Sequence, residues 1–87
     1  GGYLSLAEAL GSDEAGNAVD GATVALDASG CVLINAAGEG HVVAALGLRD
    51  CLVVATPTAT LAAPLAEAER VKELVAIVRA QRGALFS

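Results

Sequence analysis

Two cysteines, one histidine and a handful of acids are the side chains of this sequence with chemistry to offer. Cys31 and Cys51 stand twenty residues apart, and each opens an apolar run. In that setting a cysteine reads as a small buried hydrophobe with a free thiol. A disulfide between the two, or a share in a metal site, are the alternatives. His41 is the only imidazole, so a zinc site lacks the three or four spaced ligands it needs. With no Ser or Cys partner in a loop-plus-helix setting, His41 reads as a solvated strand residue rather than a general base. Asp13, Glu14, Asp20 and Asp27 could be gathered into a carboxylate site, but their spacing fits a solvated loop and its edges. Gly38-Glu39-Gly40 is followed by HVVAALG. A dinucleotide loop needs a further glycine and then a helix N-terminus, so this segment reads as a turn. No Walker-type GK[ST] occurs. No catalytic, cofactor-binding or metal-binding residue is therefore assigned.

The elements that would position such residues belong to one small domain. The chain has 87 residues, 5 Lys+Arg and 10 Asp+Glu, for a formal charge of −5. That balance argues against a nucleic-acid groove, which needs clustered cations. No apolar run approaches the ~18 residues of a membrane span, and no basic n-region precedes an apolar h-region. Two cysteines do not make a disulfide framework, and the expected compartment is the cytoplasm. Ala supplies 20 of the 48 apolar residues and Val, Leu and Ile supply 24, whereas the aromatics are Tyr3 and Phe86 alone. An interior made of aliphatics and methyl groups suits thin, closely spaced layers.

Tyr3 to Leu10 (YLSLAEAL) has the spacing of a short amphipathic helix stopped by Gly11. Gly11 to Asp20 is polar and Gly-rich, so it reads as a loop. Short β-prone runs then recur: Ala22–Asp27, Cys31–Asn35, His41–Leu46, Cys51–Thr56 and Thr58–Ala62. Turn residues every 8–12 positions indicate a meander, a roll or a solenoid. Only Thr23–Asp27 alternates strictly. The runs VVAAL and CLVVA are continuously apolar, so these strands are covered on both faces, or one face meets something outside the chain. From Pro64 to Gln81 the period becomes helical, with Ala68, Val71, Leu74, Val75 and Val78 on one stripe. Pro64 suits a first turn and Gly83 a C′ position. Glu67, Glu69 and Glu73 stand toward the front and Arg79 and Arg82 at the back, complementing the helix dipole. The expected layout is a helix and loop linker over 1–20, a β-roll or β-helix over 21–63, and a closing helix over 64–82.

Four blocks carry a family resemblance: Gly16-Asn17-Ala18-Val19-Asp20-Gly21, then Asp27 and Cys31, then VVAALGLRDCLVVATPTATLAAP, then AERVKELV. Together they resemble the C-terminal part of mannose-1-phosphate guanylyltransferases, over nearly the whole chain. That family carries GN-x-V-x-G, an Asp-then-Cys stretch, V-x-G-L-x-D-L-V-V-V-x-T and A-x-x-V-K-x-L-V. The first residues, Gly1-Gly2-Tyr3-Leu4-Ser5-Leu6-Ala7-Glu8, are similar to its G-[ST]-[WF]-x-x-L-x-E. Departures occur at Thr58-Ala59, where the family often has Asp-Ala, at Leu65 and Glu67, where basic residues are common, and at Cys51, where Leu is usual. Asp50 and Lys72 match the pattern. By residue type Asp50 reads as a turn residue accepting backbone hydrogen bonds, and Lys72 as a solvated helix charge.

The resemblance implies a mainly β fold: a short left-handed β-helix or β-roll of about five strands, with an N-terminal helix and a closing amphipathic helix. It implies a parent enzyme that converts GTP and mannose 1-phosphate to GDP-mannose and pyrophosphate with Mg²⁺. The metal-holding Asp and the G-G-x-G-x-R-L-x-P-L loop of that enzyme would lie upstream of Gly1. The chain itself would then be an inactive C-terminal piece with no cofactor of its own, and its partners would be its own catalytic domain and a second copy. A free-standing β-rich interaction module is the alternative. No nucleic-acid or membrane partner is expected.

Overall fold

The computed structural model describes residues 3–83, with side chains from Ala7 onward. Gly1, Gly2 and Phe86 lie outside the described residues. In chain order the elements are α1 (Tyr3–Leu10), β1 (Ala18–Asp20), β2 (Thr23–Leu26), β3 (Val32–Asn35), β4 (Val43–Leu46), β5 (Cys51–Ala55) and β6 (Thr60–Pro64). A 3₁₀ helix (Leu65–Arg70) and α2 (Val71–Arg82) follow.

The strands wind as a coil. β1, β3 and β5 stack in parallel and in register, Ala18 beside Val32 and Val32 beside Leu52. β6 returns antiparallel along β5, so the first sheet runs β1-β3-β5-β6. β2 and β4 make a second, two-stranded parallel wall, and a parallel bridge between Ser29 and Arg49 marks a third side. Each segment therefore lies over its counterpart one coil earlier, about 4.8 Å away. This is the mainly β, β-helical architecture expected, with six strands among the described residues rather than about five.

The extra strand is β1, in the stretch read as a loop. Its three residues carry little local signal, and its pairing comes from β3. The other bounds shift by a residue or two. The helical segment begins at Leu65, because Pro64 ends β6 in extended backbone (φ −63°, ψ 144°). β6 is an edge strand, where a proline costs no ladder bond. The segment then divides into a 3₁₀ helix and α2. Gly83 caps α2 with φ 92° and donates its N–H to the Arg79 carbonyl.

Both faces of the two central strands, β3 and β5, are covered, which accounts for their unbroken apolar runs. Ala18, Val32, Ile34, Leu52 and Val54 face outward from the coil and pack under Ala7, Leu61, Leu65, Val71 and Val75. On the other side Cys31, Leu33, Ala28 and Ala45 fill the coil, joined by Leu48, Cys51 and Val53. Leu33 and Leu52, both fully buried, centre these two layers. The stripe on α2 reaches the sheet only through Val71 and Val75, while Leu74 stays 42% exposed.

The strictly alternating strand turns out inverted. Thr23 and Ala25 share the inward side of Val43 and Ala45, whereas Val24 and Leu26 are 60% and 61% exposed. On that inward side Val43 and Ala45 of β4 are buried, whereas Thr23 is half-buried and Ala25 stays exposed.

Buried asparagine closes the coil at one corner. The Asn17 amide donates to the Ala28 carbonyl (3.0 Å) and its oxygen accepts the Cys31 N–H (2.9 Å). Asn35 acts similarly at the next corner, donating to the carbonyls of Ala22 (2.9 Å) and His41 (2.7 Å).

Urea denaturation of single variants tests this packing. Leu33→Ala should cost about 3 kcal/mol, since it leaves a cavity in a close-packed layer, whereas Leu26→Ala should stay within about 0.5 kcal/mol. Asn17→Ala should cost about 2 kcal/mol, because it strands a buried N–H and a buried carbonyl. Gly21→Ala should be the most damaging glycine change. Its φ is +79° and an added Cβ would run into the Asn35 carbonyl oxygen of the next coil. A Gly21→Ala chain of unchanged midpoint would contradict the register described above.

Candidate functional site

The residues with chemistry to offer are spread by the fold rather than gathered. Cys31 and Cys51 stand at equivalent corners of successive coils, one buried and one half-buried, and both are free thiols. Each donates its S–H to the carbonyl two residues back, Cys31 to Ser29 (3.4 Å) and Cys51 to Arg49 (3.2 Å). Their role as small apolar groups is as the sequence suggested: Cys31 belongs to the coil's interior cluster and Cys51 packs against it.

His41 is exposed at the end of the turn that leads into β4. The fold uses its main chain, whose carbonyl accepts from Asn35 and whose N–H donates to the Gly38 carbonyl (3.4 Å). Gly38-Glu39-Gly40 lies in that turn, with φ of 108° at Gly38 and 82° at Gly40, and a strand rather than a helix follows. No helix N-terminus is therefore offered to a phosphate there.

The acids do not converge. Asp13 turns its carboxylate back on its own loop, accepting the N–H of Ala15 (3.0 Å) and of Asn17 (2.9 Å). Glu14, Asp20 and Asp27 are exposed at separate points along the chain. Among the described residues, Asp27 and Asp50 are the two non-glycine positions with positive φ, 53° and 51°. They occupy corner positions whose counterparts twenty residues away are Gly47 (67°) and Gly30 (65°). A carboxylate there supports left-handed backbone rather than a metal. Asp50 takes part through its main chain, donating its N–H to the Ser29 carbonyl and accepting from the Leu65 N–H. Among the described residues no three His, Cys, Asp or Glu side chains are placed to hold a metal ion.

A shallow groove of about 490 Å³ runs along α2, lined by Ala63, Val71, Leu74 and Ile77 together with Glu67, Arg70 and Glu73. Its cation is spent. Arg70 Nε lies 2.7 Å from Glu73 and its Nη1 lies 3.1 Å from Glu67. The hydrogen bond to Glu73, and then that to Glu67, raise the guanidinium pKa above its ordinary value. Two carboxylates around one guanidinium leave net negative charge, which repels a phosphorylated ligand. Lys72 is an exposed helix residue, as its position in the sequence implied.

At the outer face of the β2–β4 wall the second alternative left open for VVAAL holds, a face that the described residues leave uncovered. Leu26 pairs with Leu46, and Val24 with Ala44. Val24, Leu26, Val42 and Leu46 are 55–69% exposed. The clue lay in the mixed neighbours of VVAAL: CLVVA has cover on both sides, and VVAAL has it on one. Among the described residues no helix is long and apolar enough to cross a membrane.

Comparison with known proteins fits this geometry. A family model described as the MannoseP isomerase/GMP-like beta-helix domain matches residues 21–78. Among solved structures, the crystal structure of a mannose-1-phosphate geranyltransferase from Thermus thermophilus aligns with a TM-score of 0.74 at 30% identity. That alignment covers 90% of this chain and 23% of the other, so the present chain spans less than a quarter of its solved relative. No curated protein matched. The resemblance carried by the GLRDCLVVATP and AERVKELV blocks therefore holds at the level of this domain. With its stacked parallel coils, its returning antiparallel strand and its closing helix, the chain belongs to the MannoseP isomerase/GMP-like β-helix domain family.

Proposed function

We propose that this chain is the non-catalytic C-terminal support and assembly domain of a mannose-1-phosphate guanylyltransferase-type enzyme. The observation that carries the reading is the pairing of an exposed apolar wall with a scattered polar set. Val24, Leu26, Val42 and Leu46 form a contiguous outward surface on the β2–β4 wall. Such patches on small soluble domains mark contact surfaces. The asparagines and Asp13 meanwhile spend their polar atoms on the coil itself.

In such a parent, GTP, mannose 1-phosphate and Mg²⁺ would meet on the larger nucleotidyltransferase portion. Mg²⁺ needs convergent oxygen ligands in octahedral array, and the acids described above do not supply them. No step of the transfer is therefore routed through this chain. Its contribution would be geometric: a rigid coil that holds the catalytic portion and a second copy through apolar contact. The CLVVA run adds nothing to that contact, since β5 is covered by β3, β6 and the layers on both sides.

Two measurements test this. The chain incubated with GTP, α-mannose 1-phosphate and Mg²⁺ should release no GDP-mannose by chromatography; product above background would end the reading. In sedimentation equilibrium the chain should show concentration-dependent mass. Leu46→Lys should reduce that association at least about tenfold while the thermal midpoint moves by no more than about 2 °C, because Leu46 is already solvated in the single chain. An unchanged association constant would remove the β2–β4 wall from the assembly role.

A further inference from the structure

We propose that Cys31 and Cys51 are a paired modification site, at which a small-molecule disulfide is exchanged to link successive coils covalently. The placement rests on register. Ser29 bridges Arg49 and Val32 pairs with Leu52 on either side of the two cysteines, which sets their backbones one strand spacing apart. That spacing of about 4.8 Å lies inside the Cα–Cα range of about 4.4–6.8 Å that a disulfide spans. Cys31 lies in the apolar cluster of the coil interior and Cys51 packs against that same cluster. Each thiol is held only by a weak S–H bond to the carbonyl two residues back, so one side chain can turn about its Cα–Cβ bond to carry its sulfur from a coil spacing to bonding distance.

Exposure divides the work between them. Cys51 is half-buried and meets solvent, whereas Cys31 is 1% exposed. The Cys51 thiolate attacks one sulfur of a reagent such as oxidised glutathione. A mixed disulfide forms at Cys51 and one glutathione thiolate leaves. The Cys31 thiolate then attacks Cys51 Sγ, closing the bond between coils and expelling the second glutathione. The two thiol protons end on the two glutathione molecules released. The protein loses two electrons and the reagent gains them. The second attack is intramolecular, so the burial of Cys31 does not obstruct it. The same burial keeps a bulky reagent from reacting first at Cys31.

The test uses the whole chain, reduced and then treated with excess oxidised glutathione under native conditions. We expect both titratable thiols to disappear, the intact mass to fall by two hydrogens, and migration on a non-reducing gel to remain monomeric. Dithiothreitol should reverse all three, and the oxidised chain should melt several degrees higher, because a twenty-residue loop is closed in its unfolded state. Cys31→Ala should stop at a stable glutathione adduct on Cys51. The same exchange in strong urea should proceed with an effective concentration at least about tenfold lower, which separates placement by the fold from simple chain closure. A wild-type chain that halts at the mixed disulfide, keeps both thiols, or links chain to chain would overturn the assignment. So would equal closure in urea.

Discussion

Parallel, in-register stacking is the constraint on which the rest of this molecule depends. When one coil lies directly over another, each position meets its own counterpart at a single strand spacing, and every column must be compatible with itself. Ala18, Val32 and Leu52 make one such column, and Val19, Leu33 and Val53 another. Apolar columns add contact at each step. Like charges in a column would repel in a setting of low dielectric, and Asp20 is accordingly followed by Ile34 and Val54. At the corners, where the backbone must turn left-handed, the columns alternate between Asp and Gly. Those two residue types reach that conformation at small cost.

The sequence was legible where one physical effect dominates. Tyr3–Leu10, the continuous runs of β3 and β5 and the helical period after Leu65 all follow from hydrophobic spacing, and each element is present. It was illegible where the determinant is a neighbour far along the chain. β1 is a strand because β3 lies beside it. Val24 and Leu26 point outward because the pairing with β4 sets Thr23 and Ala25, not them, on the side of the buried Val43 and Ala45. The repeat itself was readable in principle. Leu26-Asp27-Ala28-Ser29-Gly30-Cys31 and Leu46-Gly47-Leu48-Arg49-Asp50-Cys51 are the same corner written twice. It was obscured because Asp and Gly exchange places between the copies. Of the candidate site, the scattering of acids and the lone imidazole were legible from residue counts. The apolar wall was legible only as one of two alternatives for VVAAL, because a continuous apolar run does not say which of its faces is covered.

A division of labour follows from where the polar atoms go. In a thin coil each buried donor or acceptor must find a partner, and among the described side chains none is left buried without one. Asn17, Asn35 and Asp13 are committed to closing corners, and Arg70 is held between two carboxylates. A domain that spends its polar groups in this way has little left for binding a charged small molecule. What it can offer outward is shape and apolar area.

The excursion between β3 and β4 has its own significance. Ala18 meets Val32 but Thr23 meets Val43, so the second coil carries six more residues than the first, and the wall beyond them is undisturbed. The Asn35 amide pins the far end of the detour at His41 and ties it to Ala22 of the coil before. Length at this corner is thereby uncoupled from the pitch of the winding. Evolution, or an engineer, can lengthen, shorten or replace the segment between Ala36 and Val42 as a cassette, provided Asn35 stays.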